Sequence, residues 1–198
     1  PTTLYTDAGW SELLWPHLTS GSAAGASIDS KSVGSYVFLF WGDNTTGVFN
    51  DKGNADTTIS HEFLHNIGLP DLYRYNDQTG NREPVGVWAL MSNGSSKAIP
   101  SVDAYLQHEY RGYGDTLPIY TSSSQVTLYA AGYTDKSQAY AAILRSPYNS
   151  KEVFVAEYRA NVMNPGLIVY RIDTTKAAQG NKYSNPILGS SSDFMYIF

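Results

Sequence analysis

Three patterns of apolar and polar positions follow one another along the chain. The first is a continuous run, Tyr36-Val37-Phe38-Leu39-Phe40-Trp41, set between polar stretches. A short unbroken apolar run predicts a strand buried on both faces. The second has helical spacing. Ile59, Phe63 and Ile67 recur every fourth residue, which predicts a helix from Thr57 to Ile67 with that stripe against the core. Asp56 stands where it would cap this helix, its carboxylate at the positive end of the helix dipole. The third pattern has period two. Residues 125–130, 139–145, 152–159 and 166–173 alternate and are separated by Gly, Pro, Asn and Ser, as short antiparallel strands are. Smaller elements fill the intervals. Residues 10–15 are expected to make one or two helical turns before Pro16, and residues 20–35 a loop or weak hairpin. A second helix runs from a Ser101 cap to about Arg111, where Gly112 and Gly114 end it. The expected class is α+β, with a helix-bearing part over residues 1–115 and a β-rich, sandwich-like part over residues 116–198.

The first helix carries the candidate chemistry. His61-Glu62-Phe63-Leu64-His65 reads H-E-x-x-H. Residues four apart lie one turn above each other on one helix face, so His61 and His65 can offer two imidazoles to one ion. They sit about 200° round the helix from the apolar stripe, on a side expected to open to a cleft. Glu62 adjoins the first ligand and is placed to take a proton from a metal-activated water. Gly68 lets the chain leave the helix in a left-handed conformation, and Pro70 prevents the helix from resuming. Asp71 then returns close enough to be a third ligand, which an aspartate can be for zinc. The plain alternative is a pair of surface or core histidines. The joint presence of Glu62, Gly68 and Asp71 weighs against it.

The extended form, His-Glu-x-x-His-x-x-Gly-x-x-Asp, resembles the metzincin zinc peptidases. The wording His65-Asn66-Ile67-Gly68-Leu69-Pro70-Asp71-Leu72-Tyr73 is similar to one branch of them, the immune inhibitor A family of secreted metallopeptidases. The resemblance implies a metzincin-like core and a zinc-dependent endopeptidase that cleaves protein substrates outside the cell. It implies His61, His65 and Asp71 as ligands, Glu62 as the general base and Met91, in Val87-Trp88-Ala89-Leu90-Met91, as the Met-turn residue beneath the metal. The alternative is that Met91 is an ordinary core methionine. Some metzincins place a tyrosine two positions after that methionine. Asn93 stands there, which leaves Tyr73, Tyr105 and Tyr110 as unranked candidates for stabilising the transition state. A rival third ligand is Glu109 on the second helix, but nothing comparable to Gly68 and Pro70 directs it inward. Trp15-Pro16-His17 also resembles the family's upstream segment. The stretch before His61 is short for a metzincin scaffold, so part of that scaffold is expected to lie outside this chain.

Composition narrows the classes further. The net charge is −5 with no basic stretch, which argues against nucleic acid. No apolar run is long enough to span a bilayer. The absence of cysteine leaves only N and O donors for a metal. The 16 tyrosines and few lysines lean toward an extracellular protein. Asp43, Asn44, Asp51, Asn54, Asp56 and Asp77 supply oxygen donors of the kind calcium uses. Their spacing matches no defined calcium loop, so structural calcium competes there with a solvated turn cluster. Glu157 is expected to form a structural ion pair with Arg159 or Arg171. The alternative to a peptidase is a catalytically silent binding module that keeps a metal site, against which an intact Glu62 counts.

Overall fold

The computed structural model describes residues 17–20, 27–38, 55–75, 83–92, 101–110, 117–130, 138–160, 165–182 and 193–198. The expected turns at 10–15 and the polar loop at 42–53 lie outside these. The chain divides into two compact units, Pro1–Leu69 with Ser95–Ile99, and Pro70–Gly94 with Pro100–Phe198.

In the first unit, β1 (His17–Ser20) and β4 (Ser35–Phe38) pair antiparallel, with Ser20 opposite Ser35. Between them β2 (Ser27–Ile28) and β3 (Lys31–Ser32) form a small hairpin. Its two turn residues, Asp29 and Ser30, have φ of 49° and 62°, the left-handed pair that a tight two-residue turn requires. The weak hairpin is therefore present. The doubly buried strand is not. Tyr36 is exposed and Val37 half-buried, and among the described residues β4 pairs with β1 in a two-stranded sheet. Leu39, Phe40 and Trp41 lie outside the described residues.

Helix α1 spans Ala55–His65. Asp56, the expected cap, lies within this span, and its side chain lies outside the described ones. Its end follows the sequence logic closely. Gly68 has φ 95°, its N–H donates to the His65 carbonyl at 3.0 Å, and the Leu69 N–H donates to the Leu64 carbonyl at 3.3 Å. These are the paired bonds of a Schellman cap, which satisfy carbonyls that the helix end would otherwise leave open. The face is the reverse of the expected one. Phe63 is 65% exposed, whereas Thr57, His61 and Glu62 are buried. Ile59 and Ile67 are only half-buried. Burying polar side chains while exposing a phenylalanine opposes the transfer free energies, so hydrophobicity alone did not orient this helix.

The second unit is built on a five-stranded sheet in the order β5-β6-β7-β8-β9. Its strands are Ile119–Tyr120, Ala141–Arg145, Glu152–Arg159, Gly166–Asp173 and Met195–Ile197. The sheet is mixed rather than antiparallel. β5 runs parallel to β6, which the long connection between them permits, and the other pairs are antiparallel. Residues 125–130, expected as a strand, join no ladder among the described residues, although the Tyr129 N–H donates to the Ala139 carbonyl at 2.9 Å. β7 buries every second residue, Val153, Val155, Glu157 and Arg159, and β8 adds Ile168, Tyr170 and Ile172 to the core.

The inward face of β7 thus carries two charges. Arg159 answers Glu157 with a two-pronged contact, Nε to Oε1 at 2.8 Å and Nη2 to Oε2 at 3.0 Å. It also donates to the Tyr170 hydroxyl and to the Trp88 carbonyl. Arg171 pairs with Glu152 instead. Above this pair lies α2 (Ala104–Glu109), capped by Asp103, whose carboxylate accepts from the Leu106 N–H at 2.9 Å. The cap is Asp103 rather than Ser101, and the helix is shorter than expected. The Ala104 N–H donates to Glu157, so a helix terminus and a buried ion pair share one carboxylate. Burial pushes the Asp103 carboxyl up to about 7, with Glu157 adding to the effect.

Candidate metal centre

His61 and His65 stand on successive turns of α1, as their spacing requires. Their Nε2 atoms are 3.2 Å apart and their rings meet edge to face at 89°. The His65 Nδ1 lies 2.7 Å from the Leu69 carbonyl oxygen. A carbonyl can only accept, so in the neutral ring Nδ1 carries the proton and Nε2 keeps a bare lone pair. Metal-binding imidazoles are commonly fixed in this way. The carbonyl is available because the Gly68 cap turns the chain back under His65. Glu62 adjoins His61 and is buried with it.

The chain from His61 to Asp71 is continuous, and along it the donor atoms of His61, His65 and Asp71 lie within 4.8 Å of one another. Among the described residues this is the group of histidines and carboxylates able to hold a metal ion. The donor set suits zinc: two imidazoles, one carboxylate and no thiolate. The imidazole spacing suits it too, since two nitrogens at about 2.0–2.1 Å from a tetrahedral zinc are separated by about 3.3–3.4 Å.

Asp71 is held by other means. Its Oδ2 accepts from the Tyr75 hydroxyl at 2.5 Å, and Tyr75 stacks on Tyr73 at 5.5 Å. Tyr75 is exposed at one side; partial burial, reinforced by the Asp71 carboxylate, raises its phenol above the ordinary range, so Tyr75 remains a donor. The adjoining Leu72 N–H donates to the Met91 carbonyl at 2.6 Å. Met91 is fully buried, within a turn closed by the Ser92 N–H on the Ala89 carbonyl. Arg74, one residue before Tyr75, makes a fully buried two-pronged contact with Asp193, both carboxylate oxygens lying at 2.8 Å.

The other residues singled out from the sequence have separate fates. Tyr105 is buried against Phe194, and Tyr110 donates to the Ala177 carbonyl. Glu109 is exposed and belongs to no candidate metal group among the described residues. His17 lies in β1. Asp43, Asn44, Asp51, Asn54, Asp77 and Asn93 lie outside the described residues. Tyr75 escaped the sequence reading. Its only signal there is its position four residues after Asp71, which means nothing until the loop is seen to curl back.

Residues 2–104 match the model of the immune inhibitor A peptidase M6 catalytic domain. No curated protein and no solved structure gives a significant match.

Proposed function

The chain belongs to the immune inhibitor A peptidases of family M6, and from that we propose that it is a zinc-dependent endopeptidase with a metzincin-like core, acting on protein substrates outside the cell. The observation that carries the reading is the convergence of His61, His65 and Asp71 within 4.8 Å in a chain of a peptidase family. His61 and His65 would hold the ion through ring nitrogens, and Asp71 through a carboxylate oxygen. When bound, zinc would supply Lewis-acid activation of the attacking water and of the scissile carbonyl. Glu62 takes the proton of the attacking water and returns it to the leaving amine. The Leu69 carbonyl keeps the His65 lone pair turned outward, and Tyr75 orients the carboxylate of Asp71. Buried Met91 lines the turn that holds Leu72, beside the third donor. The extracellular assignment is supported by composition alone: many tyrosines and polar residues, and few lysines. No helix among the described residues is long and apolar enough to cross a membrane.

The test is Glu62→Gln in the full chain, with zinc content and casein hydrolysis read together. The variant should keep its zinc and lose turnover by about 10²–10⁴-fold, the usual contribution of a positioned base. Undiminished turnover would remove Glu62 from the mechanism. A wild-type chain that binds zinc and cleaves nothing would instead be the silent binding module.

A further inference from the structure

We propose that the third donor is set by a segment outside the matched catalytic domain, with Asn181 as its positioning residue and Gly180 as the point of close approach. The proposal rests on the zinc reading above. The matched region ends at residue 104, whereas the Asp71 carbonyl accepts from the N–H of Asn181.

Asn181 is fully buried and uses its whole hydrogen-bonding capacity. Nδ2 donates to the carbonyls of Leu72 at 2.9 Å and Met195 at 2.7 Å. Oδ1 accepts from the N–H groups of Phe194 at 2.7 Å and Met195 at 3.0 Å. Its own N–H donates to the Asp71 carbonyl at 2.9 Å. Two donors and two acceptors are all that an amide side chain offers, so any substitute leaves buried backbone groups unpaired. Together with the Leu72–Met91 bond, these contacts hold the Asp71 carbonyl and both polar groups of the Leu72 backbone. The Asp71 side chain is then left with its rotamer to settle, and the Tyr75 hydroxyl holds that.

Gly180 makes the approach possible. It has φ 60°, and a Cβ there would fall 2.0 Å from the Asp71 carbonyl oxygen and 2.9 Å from the Pro70 Cβ. No other residue lets the chain come so near the third donor without moving it. A donor held in advance binds a metal more tightly, because the ordering cost is met before the ion arrives.

The experiment uses the whole chain and zinc itself, titrated against a chromogenic chelator, with cobalt absorption reporting the ligand geometry. Asn181→Leu and Gly180→Ala should each weaken zinc binding by about 10–100-fold, as loss of groups that support a ligand does, and should shift the cobalt spectrum. Val155→Ala, in the sheet core, should lower the melting temperature without changing either readout. Affinities for the two loop variants no weaker than that of Val155→Ala would overturn the proposal. Should both loop variants fail to fold, the wild type decides. Zinc should slow amide exchange at Asn181, Phe194 and Met195 more than in β7, and equal effects would refute the proposal. His61→Ala separates the two readings. A wild-type chain that takes up no zinc defeats the zinc reading and this proposal together. His61-dependent zinc binding that ignores positions 180 and 181 defeats this proposal alone.

Discussion

The two imidazoles and the carboxylate reach their places by opposite routes. His61 and His65 owe their 3.2 Å spacing to one turn of one helix, and the Schellman cap that fixes the His65 tautomer closes within the next four residues. Asp71 follows by only six positions, yet its loop is pinned by Asn181, Asp193 and Met91. The first arrangement is local and needs little from the rest of the chain. The second depends on a sheet and a carboxy-terminal strand having formed. If the three side chains share an ion as proposed, metal affinity should depend on the contacts that hold the Asp71 loop within its own unit.

The sharpest way to break this contrast is Arg74→Ala, which strips the Asp71 loop of its buried ion pair. Leaving Asp193 buried and unpaired should cost about 3–5 kcal/mol, measured by urea unfolding. Zinc affinity should fall with it, while the helical content of α1 persists. Wild-type stability in the variant would mean that the loop is not anchored as described.

Next in size is Asp103→Asn, which probes the charges buried in the second unit. Asp103 has its folded pKa pushed up to about 7 from an ordinary carboxylate value, and its Oδ2 has no hydrogen-bond partner among the described residues. The folded state therefore binds more protons than the unfolded one between about pH 4 and pH 7, so this group's contribution to stability declines as pH rises through that window. Asparagine keeps the cap without the charge. The advantage of the variant over the wild type should grow from pH 4 to pH 7 and then level off. An advantage independent of pH would contradict the assignment.

The smallest effect should come from Phe63→Ser, on the exposed side of α1. It should change stability by no more than about 0.5 kcal/mol, although the sequence pattern marks Phe63 as the centre of a core-facing stripe. A loss of several kcal/mol would restore that reading.

How far the sequence could be read follows the same division between local and distant. β7 and β8 were predicted to the residue at Glu152–Arg159 and Gly166–Asp173, because a half-buried strand writes its period directly into the chain. The end of α1 was legible for the same reason, since a left-handed Gly68 and a following Pro70 are local instructions. The buried face of α1 was not. The stripe rule assumes that apolar residues choose the face, and here Thr57, His61 and Glu62 are buried instead. Residues 125–130 alternate like a strand yet find no ladder among the described residues, because pairing is a property of the partner as much as of the segment. Nothing in the chain marks Asn181 as a partner of Leu72, 109 positions away. A Gly-Asn pair predicts a turn, not what the turn touches.

The proposed activity requires two imidazoles and one carboxylate to share an ion. Zinc-edge X-ray absorption of the loaded wild type, set beside Asp71→Ala, measures this directly. The predicted spectrum contains two imidazole rings and a carboxylate oxygen at about 2.0–2.2 Å, with the oxygen lost in the variant. A spectrum with a single imidazole, or one that Asp71→Ala leaves unchanged, would contradict it.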